Sequence, residues 1–167
     1  MTRRTTIPHR FSSLAIPTYT PPVKGVSIET LDTWFSKYIR FKFTRPYSDS
    51  VDTRVGNCFT CRKLQVLTAL ENGHYIGRQH FATRWEVKNC RPQCNYCNQR
   101  QEGEKGKFRK NLVEIYGEEV VSQMEALRRT AKKPTASETL ILRDKFKAWY
   151  NFLKTGKQDP TGYWMEA

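Results

Sequence analysis

The sequence predicts an α+β fold, a small clamped hairpin-and-helix core with additional helices at its N- and C-terminal ends. Three observations predict it. Two Cys-x-x-Cys knuckles, Cys58-Phe59-Thr60-Cys61 and Cys94-Asn95-Tyr96-Cys97, bracket a stretch of short, irregular apolar segments. Apolar residues recur at helical spacing before the first knuckle and after the second. The apolar fraction is 38%, below the ~45–50% usual for globular chains, so the core needs support beyond apolar burial. Four paired cysteines provide it, since they suit a closed tetrahedral structural zinc site.

In chain order, residues 1–26 hold Arg3, Arg4, Arg10 and Lys24 and no acid, and four prolines exclude a long helix. They read as a flexible basic arm, either a plain tail or a segment that folds onto nucleic acid. Residues 27–117 form the core unit. Ser27 is placed to cap a helix reaching about Phe43, with Ile28, Leu31, Phe35, Tyr38 and Ile39 on one face. Pro46 and Ser48-Asp49-Ser50 end it. Residues 54–85 read as a β-hairpin with its turn near Glu71-Asn72-Gly73. A helix starts around Asn95, loosens at Gly103 and Gly106, and resumes with Phe108, Leu112, Ile115 and Tyr116. Residues 118–167 form a helical extension. Val120, Val121, Met124 and Leu127 share one face, and Ser137-Glu138 can cap a last helix striped by Leu142, Phe146, Trp149 and Leu153. That stripe either covers the first helix of its own chain, through Phe35 and Tyr38, or forms a homodimer interface.

The net charge of +13 points to a polyanionic partner, nucleic acid first. Membrane is excluded as a span, because no apolar run approaches the ~18–20 residues required. The first residues, Met1-Thr2-Arg3-Arg4, lack the apolar stretch of a signal peptide, which implies the cytoplasm. In that reducing compartment paired cysteines bind metal more often than they form disulfides. Cys90, the fifth cysteine, reads as a buried free thiol.

Between the knuckles lie His74, Arg78, His80, Arg84 and Asn89, and Asn98 follows Cys97 directly. Metal-assisted phosphodiester cleavage needs a base for water, a divalent cation at the phosphate, and cations for the backbone. A neutral imidazole can be that base. An Asn carbonyl is a hard ligand suited to magnesium or manganese, and a second Asn can hold the histidine's loop. Arg78 and Arg84 are either phosphate contacts or salt-bridged surface residues. Arg100, Lys105, Lys107, Arg109 and Lys110 form either a DNA-backbone track or a solvated face.

The arrangement of His74, Asn89 and Cys94-x-x-Cys97-Asn98 resembles the zinc-bearing HNH (His-Me finger) endonucleases. The fuller string, Gly73-His74-Tyr75-x-x-Arg78, Thr83-Arg84-Trp85, Asn89 and Gln93-Cys94-x-x-Cys97-Asn98, is similar to the phage NinG/Rap recombination endonucleases. The resemblance covers about residues 54–117. It implies a ββα-metal core, with Cys58, Cys61, Cys94 and Cys97 on zinc and cleavage of branched DNA such as Holliday junctions. It also implies His74 as general base, Asn89 as the middle structural Asn, and Asn98 as a ligand of magnesium or manganese. If phage-encoded, the protein would act in the host cytoplasm. Most HNH nucleases carry Asp or His before the base where this chain has Gly73, a feature it shares with the NinG-like string. His80 is a candidate to complete the metal shell. The rival readings are a non-catalytic zinc-dependent DNA-binding module, an HNH nicking or homing nuclease on linear duplex, and an RNA-binding zinc protein.

Overall fold

A computed structural model describes residues 25–47, 53–130 and 132–156. The basic arm through residue 24 and the Ser48-Asp49-Ser50 breaker lie outside the described residues. The architecture is mixed α+β, with two small antiparallel sheets among several helices.

Helix α1 runs Ile28–Lys42. The Ser27 hydroxyl accepts from the Thr30 amide at 3.2 Å, Glu29 occupies the first turn, and Arg40 and Lys42 occupy the last. Cap and end charges thus complement the helix dipole. The predicted face is buried: Leu31, Phe35, Tyr38 and Ile39 are each at most 2% exposed. Strands β1 (Arg45–Pro46), β2 (Arg54–Asn57) and β3 (Leu64–Val66) follow as one antiparallel sheet.

The next hairpin departs from expectation. Strand β4 (Leu70–His74) pairs with β5 (Cys90–Cys94), with Leu70 opposite Cys94 and His74 opposite Cys90. Glu71-Asn72-Gly73 is therefore strand, not turn, and residues 75–89 make the connection, with helix α2 (Phe81–Arg84) inside it. Asn-Gly is a strong local hairpin cue. Here the glycine serves close approach instead. A Cβ at position 73 would lie 2.0 Å from Gln93 Oε1, whose fully buried side chain crosses over that spot.

After Cys94 a π-helical turn spans Tyr96–Arg100, and α3 runs Lys105–Tyr116. Gly117, at φ +83°, turns the chain into α4 (Glu118–Ala126). Helix α5, Ala136–Lys154, starts earlier than Ser137 predicted. Thr135 is the cap, its hydroxyl accepting from the Glu138 amide while Glu138 accepts from the Thr135 amide, a reciprocal capping box.

The α5 stripe covers α1. Ring centroids of Phe146 and Phe35 are 4.7 Å apart, and those of Trp149 and Tyr38 are 5.3 Å apart. These residues enclose one core cluster with Cys90. A second cluster joins Phe59 and Ile76 to Phe108, Leu112, Val121 and Met124. No helix among the described residues is long and apolar enough to cross a membrane.

Candidate metal centre and active site

The first knuckle is a tight loop. Arg62 adopts a left-handed conformation at φ 62°, letting its amide reach Cys58 O at 2.9 Å while the Cys58 amide reaches Lys63 O at 2.9 Å. The second knuckle spans the end of β5 and the π-helical turn, and the Phe59 amide donates to Pro92 O at 2.8 Å across the two. The result is a cluster in which the sulfurs of Cys58, Cys61, Cys94 and Cys97 all lie within 4.8 Å of one another. Cys61 Sγ and Cys94 Sγ are 3.9 Å apart. Tetrahedral zinc with bonds of ~2.3 Å needs sulfur–sulfur edges of about 3.8 Å, so the donor set and its spacing fit zinc. Cys90 is outside this cluster, fully buried in the α1–α5 core, where desolvation pushes its thiol well above the usual range.

His74 ends β4 and lines a cavity of about 320 Å³ with Glu71, Asn72, Asn98, Arg40, Arg78 and Asp32. Its Nε2 lies 3.0 Å from the Arg84 carbonyl oxygen. A carbonyl only accepts, so Nε2 carries the proton and Nδ1 carries the lone pair. Asn89 holds this arrangement. Its Oδ1 accepts from the Ile76 amide at 2.7 Å, and its Nδ2 donates to Ile76 O and Thr83 O, both at 2.9 Å. Those bonds close the 75–89 connection and position Arg84. Burial pushes the His74 pKa down to about 4, with Arg78 adding to the effect and the Arg84 and Asn72 carbonyls opposing it. The ring is neutral at pH 7.

Glu71 was invisible to the sequence reading, which placed it in a turn. Its carboxylate accepts from Asn95 Nδ2 at 3.0 Å, Asn98 Nδ2 at 2.6 Å and Gln99 Nε2 at 2.9 Å. Burial raises its pKa, but the three amides and Arg40 outweigh this and hold it below its ordinary value. Because Asn98 Nδ2 faces Glu71, its Oδ1 remains an acceptor. Asn72 Oδ1 is buried and has no hydrogen-bond partner among the described residues. The signal that could have found Glu71 was Gly73 itself: with no side chain there, the nearest upstream carboxylate on the strand becomes the candidate.

Other predicted residues lie elsewhere. Arg78 lines the His74 cavity, joined by Arg40, which the sequence did not single out. Of the two readings for Arg84, the structure shows the ion pair: its guanidinium forms a two-pronged pair with Asp32, while its carbonyl meets the His74 ring. His80, the candidate to complete the metal shell, is not among the residues lining the His74 cavity. Its Nδ1 bonds the Arg128 carbonyl at 2.9 Å, and it lines a separate cavity with Glu125. The basic track is partly committed: Arg109 pairs with Glu118 and Glu125, Lys107 with Glu104, and Lys105 donates to the His74 carbonyl. Arg100 and Lys110 are exposed.

Together these features define a mixed α+β protein with a four-cysteine cluster that could hold zinc and a neutral, buttressed histidine beside a polar, amide-rich cavity. A family model described as bacteriophage lambda NinG protein matches residues 28–156, from α1 to α5, and the chain belongs to that family. No curated protein and no solved structure matches it.

Proposed function

We propose that this chain is a zinc-stabilised HNH-type endonuclease that hydrolyses phosphodiester bonds in branched, recombination-intermediate DNA. The observation that carries the reading is His74, whose Nε2 is occupied by the Arg84 carbonyl, leaving Nδ1 as a base on the wall of a polar cavity. His74 Nδ1 takes a proton from water as that water attacks phosphorus. The Arg84 carbonyl, fixed by Asn89, holds the resulting imidazolium through Nε2–H. Arg40 and Arg78 supply positive charge for the phosphate backbone. Glu71 and Asn98 offer hard oxygen donors that suit magnesium or manganese. Such an ion would stabilise charge on the scissile phosphate and leaving oxygen. Gly73, which stands where most HNH nucleases carry Asp or His, is accounted for by the Gln93 side chain packed over it.

Branched DNA as substrate rests on the family. Paired cuts across a four-way junction call for two copies, most simply in C2 symmetry. Because the α5 stripe packs on α1, a homodimer would have to use another face.

The test incubates the protein with four-way junction and linear duplex, with and without magnesium or manganese. Metal-dependent junction cleavage is expected, falling ~10²–10⁴-fold in His74→Ala while DNA binding persists. Undiminished cleavage in His74→Ala would end the proposal.

A further inference from the structure

A second cavity, of about 240 Å³, opens where the end of α1, the start of the 85–88 segment and α5 meet. Five aromatic side chains line it: Phe43, Trp85, Tyr116, Phe146 and Trp149. So do three lysines, Lys42, Lys88 and Lys145, against the single acid Glu86. Each ammonium lies near a ring, with Lys145 Nζ 4.4 Å from the Trp149 ring centre, Lys88 5.5 Å from Tyr116 and Lys42 5.7 Å from Phe43.

A fourth cation lies behind these rings. Arg91 is only 4% exposed, and its guanidinium is 4.1 Å from the Phe43 centre and 5.2 Å from Tyr116. Its hydrogen bonds go to Val87 O at 3.0 Å, Cys90 O at 2.8 Å and the Tyr116 hydroxyl. Among the described residues none of its recorded partners is a carboxylate. A buried cation without a counter-charge is costly, and an anion bound nearby would lower that cost.

We propose that this cavity binds one unpaired nucleotide of a DNA substrate, the base against the aromatic rings and the adjoining phosphate among the lysines. Flat π-faces together with the Lys145 ammonium and the buried Arg91 guanidinium behind them match a nucleobase joined to phosphate, because bases stack on aromatic side chains while cations hold the backbone. The volume is below the ~300–1,000 Å³ of drug-sized ligand sites, which suits a single ring system. Unpaired bases are cheap to insert where stacking is already broken and expensive to draw from an intact duplex, so the pocket selects discontinuities. Its position ties it to the catalytic histidine. Trp85 directly follows Arg84, whose carbonyl holds His74, and Trp85 Nε1 donates at 2.8 Å to Asp32 of the His74 cavity. This inference rests on the nucleic-acid reading of the chain.

The test uses the full zinc-loaded chain carrying His74→Ala, so that no strand is cut. The probes are a duplex with one bulged 2-aminopurine nucleotide and the matched duplex with that base paired. The bulged duplex should bind about tenfold more tightly, with its 2-aminopurine fluorescence quenched on binding. Lys145→Glu, an exposed change, should abolish that preference. Lys110→Glu, equally exposed on α3, should weaken both probes alike. Equal affinity for the two probes, or an unchanged preference in Lys145→Glu, would overturn the pocket while leaving the nuclease reading intact. Failure to bind either probe would remove the nucleic-acid reading and the pocket together. A quench that emerges only after residues 157–167 are deleted would mean the chain's own tail fills the pocket, which also overturns the proposal.

Discussion

The two core clusters are held by different physics. One is a stack of aromatic rings, Phe35, Tyr38 and Phe146 with Trp149 beside them, gathered between two long helices whose caps and periodicity suffice to form them. The other lies under the first knuckle, with Phe59 packed 4.7 Å from Phe108, and includes Ile76 from the irregular connection between β4 and β5. The first needs only apolar burial. The second is assembled from pieces too short to be stable alone, beside four clustered cysteines that could close it around a metal. His74 stands at the seam, carried by the clamped hairpin and facing Phe35 of the helix pair at 6.3 Å between ring centres. The strand that bears His74 can therefore be pinned by a metal at the cysteine cluster while its far wall is set by packing.

Removing the metal should break the contrast most completely. Structural zinc contributes ~10–16 kcal/mol of apparent binding free energy in small domains, comparable to the ~5–15 kcal/mol stability of a whole protein. Cys94→Ser or chelation should therefore unfold the hairpin half, read as loss of one zinc per chain by metal analysis and a collapsed thermal transition. Unchanged melting after complete zinc removal would refute the clamp. Cys90→Ser should keep its zinc.

Phe146→Ala attacks the other half. Truncating this buried ring should cost about 3–5 kcal/mol, measured by denaturant titration, without changing zinc stoichiometry. Zinc loss in the folded variant would show that the halves are not separate in their support.

Gly73→Ala sharpens the comparison within the hairpin. The added methyl meets Gln93, so a cost of about 1–3 kcal/mol is expected. Combining it with Gln93→Ala should cost less than the two single changes summed. Strict additivity would mean that the close approach does not govern the position.

The smallest effect per step is electrostatic. The His74 pKa is about 4 when folded against an ordinary value of 6.5, so the unfolded chain binds its proton first as pH falls. The stability tied to neutral His74 is complete above about pH 6.5 and drains away as pH drops toward 4, at no more than about 1.4 kcal/mol per pH unit. His74→Gln should lack that component between pH 7 and 5. Parallel pH profiles for the two proteins would mean the ring is not desolvated.

What was legible in the sequence follows the same division. The cysteine knuckles, the Ser27 cap, the helix faces and the free Cys90 are local signals, decided within a few residues. The hairpin connection was not legible, because Asn72-Gly73 is a good local turn and only Asn89, through bonds to Ile76 and Thr83, makes residues 75–89 the real loop. Glu71 was hidden for the same reason: its amide partners arrive 24 to 28 residues later in the chain. The α5 stripe was readable as apolar, but periodicity alone does not say whether α1 or another copy covers it.

The pairing of Leu70 with Cys94 at one end of the ladder and of His74 with Cys90 at the other turns the metal into an inspector of folding. A hairpin that zipped up one residue out of step would invert the faces of its strand. It would carry Cys94 away from the other three sulfurs and bring side chains rather than Gly73 against Gln93. Such a molecule could not close its fourth thiolate. Metal loading would thus proofread the strand that bears His74, and zinc content would count the molecules in a preparation whose β4–β5 ladder is in register.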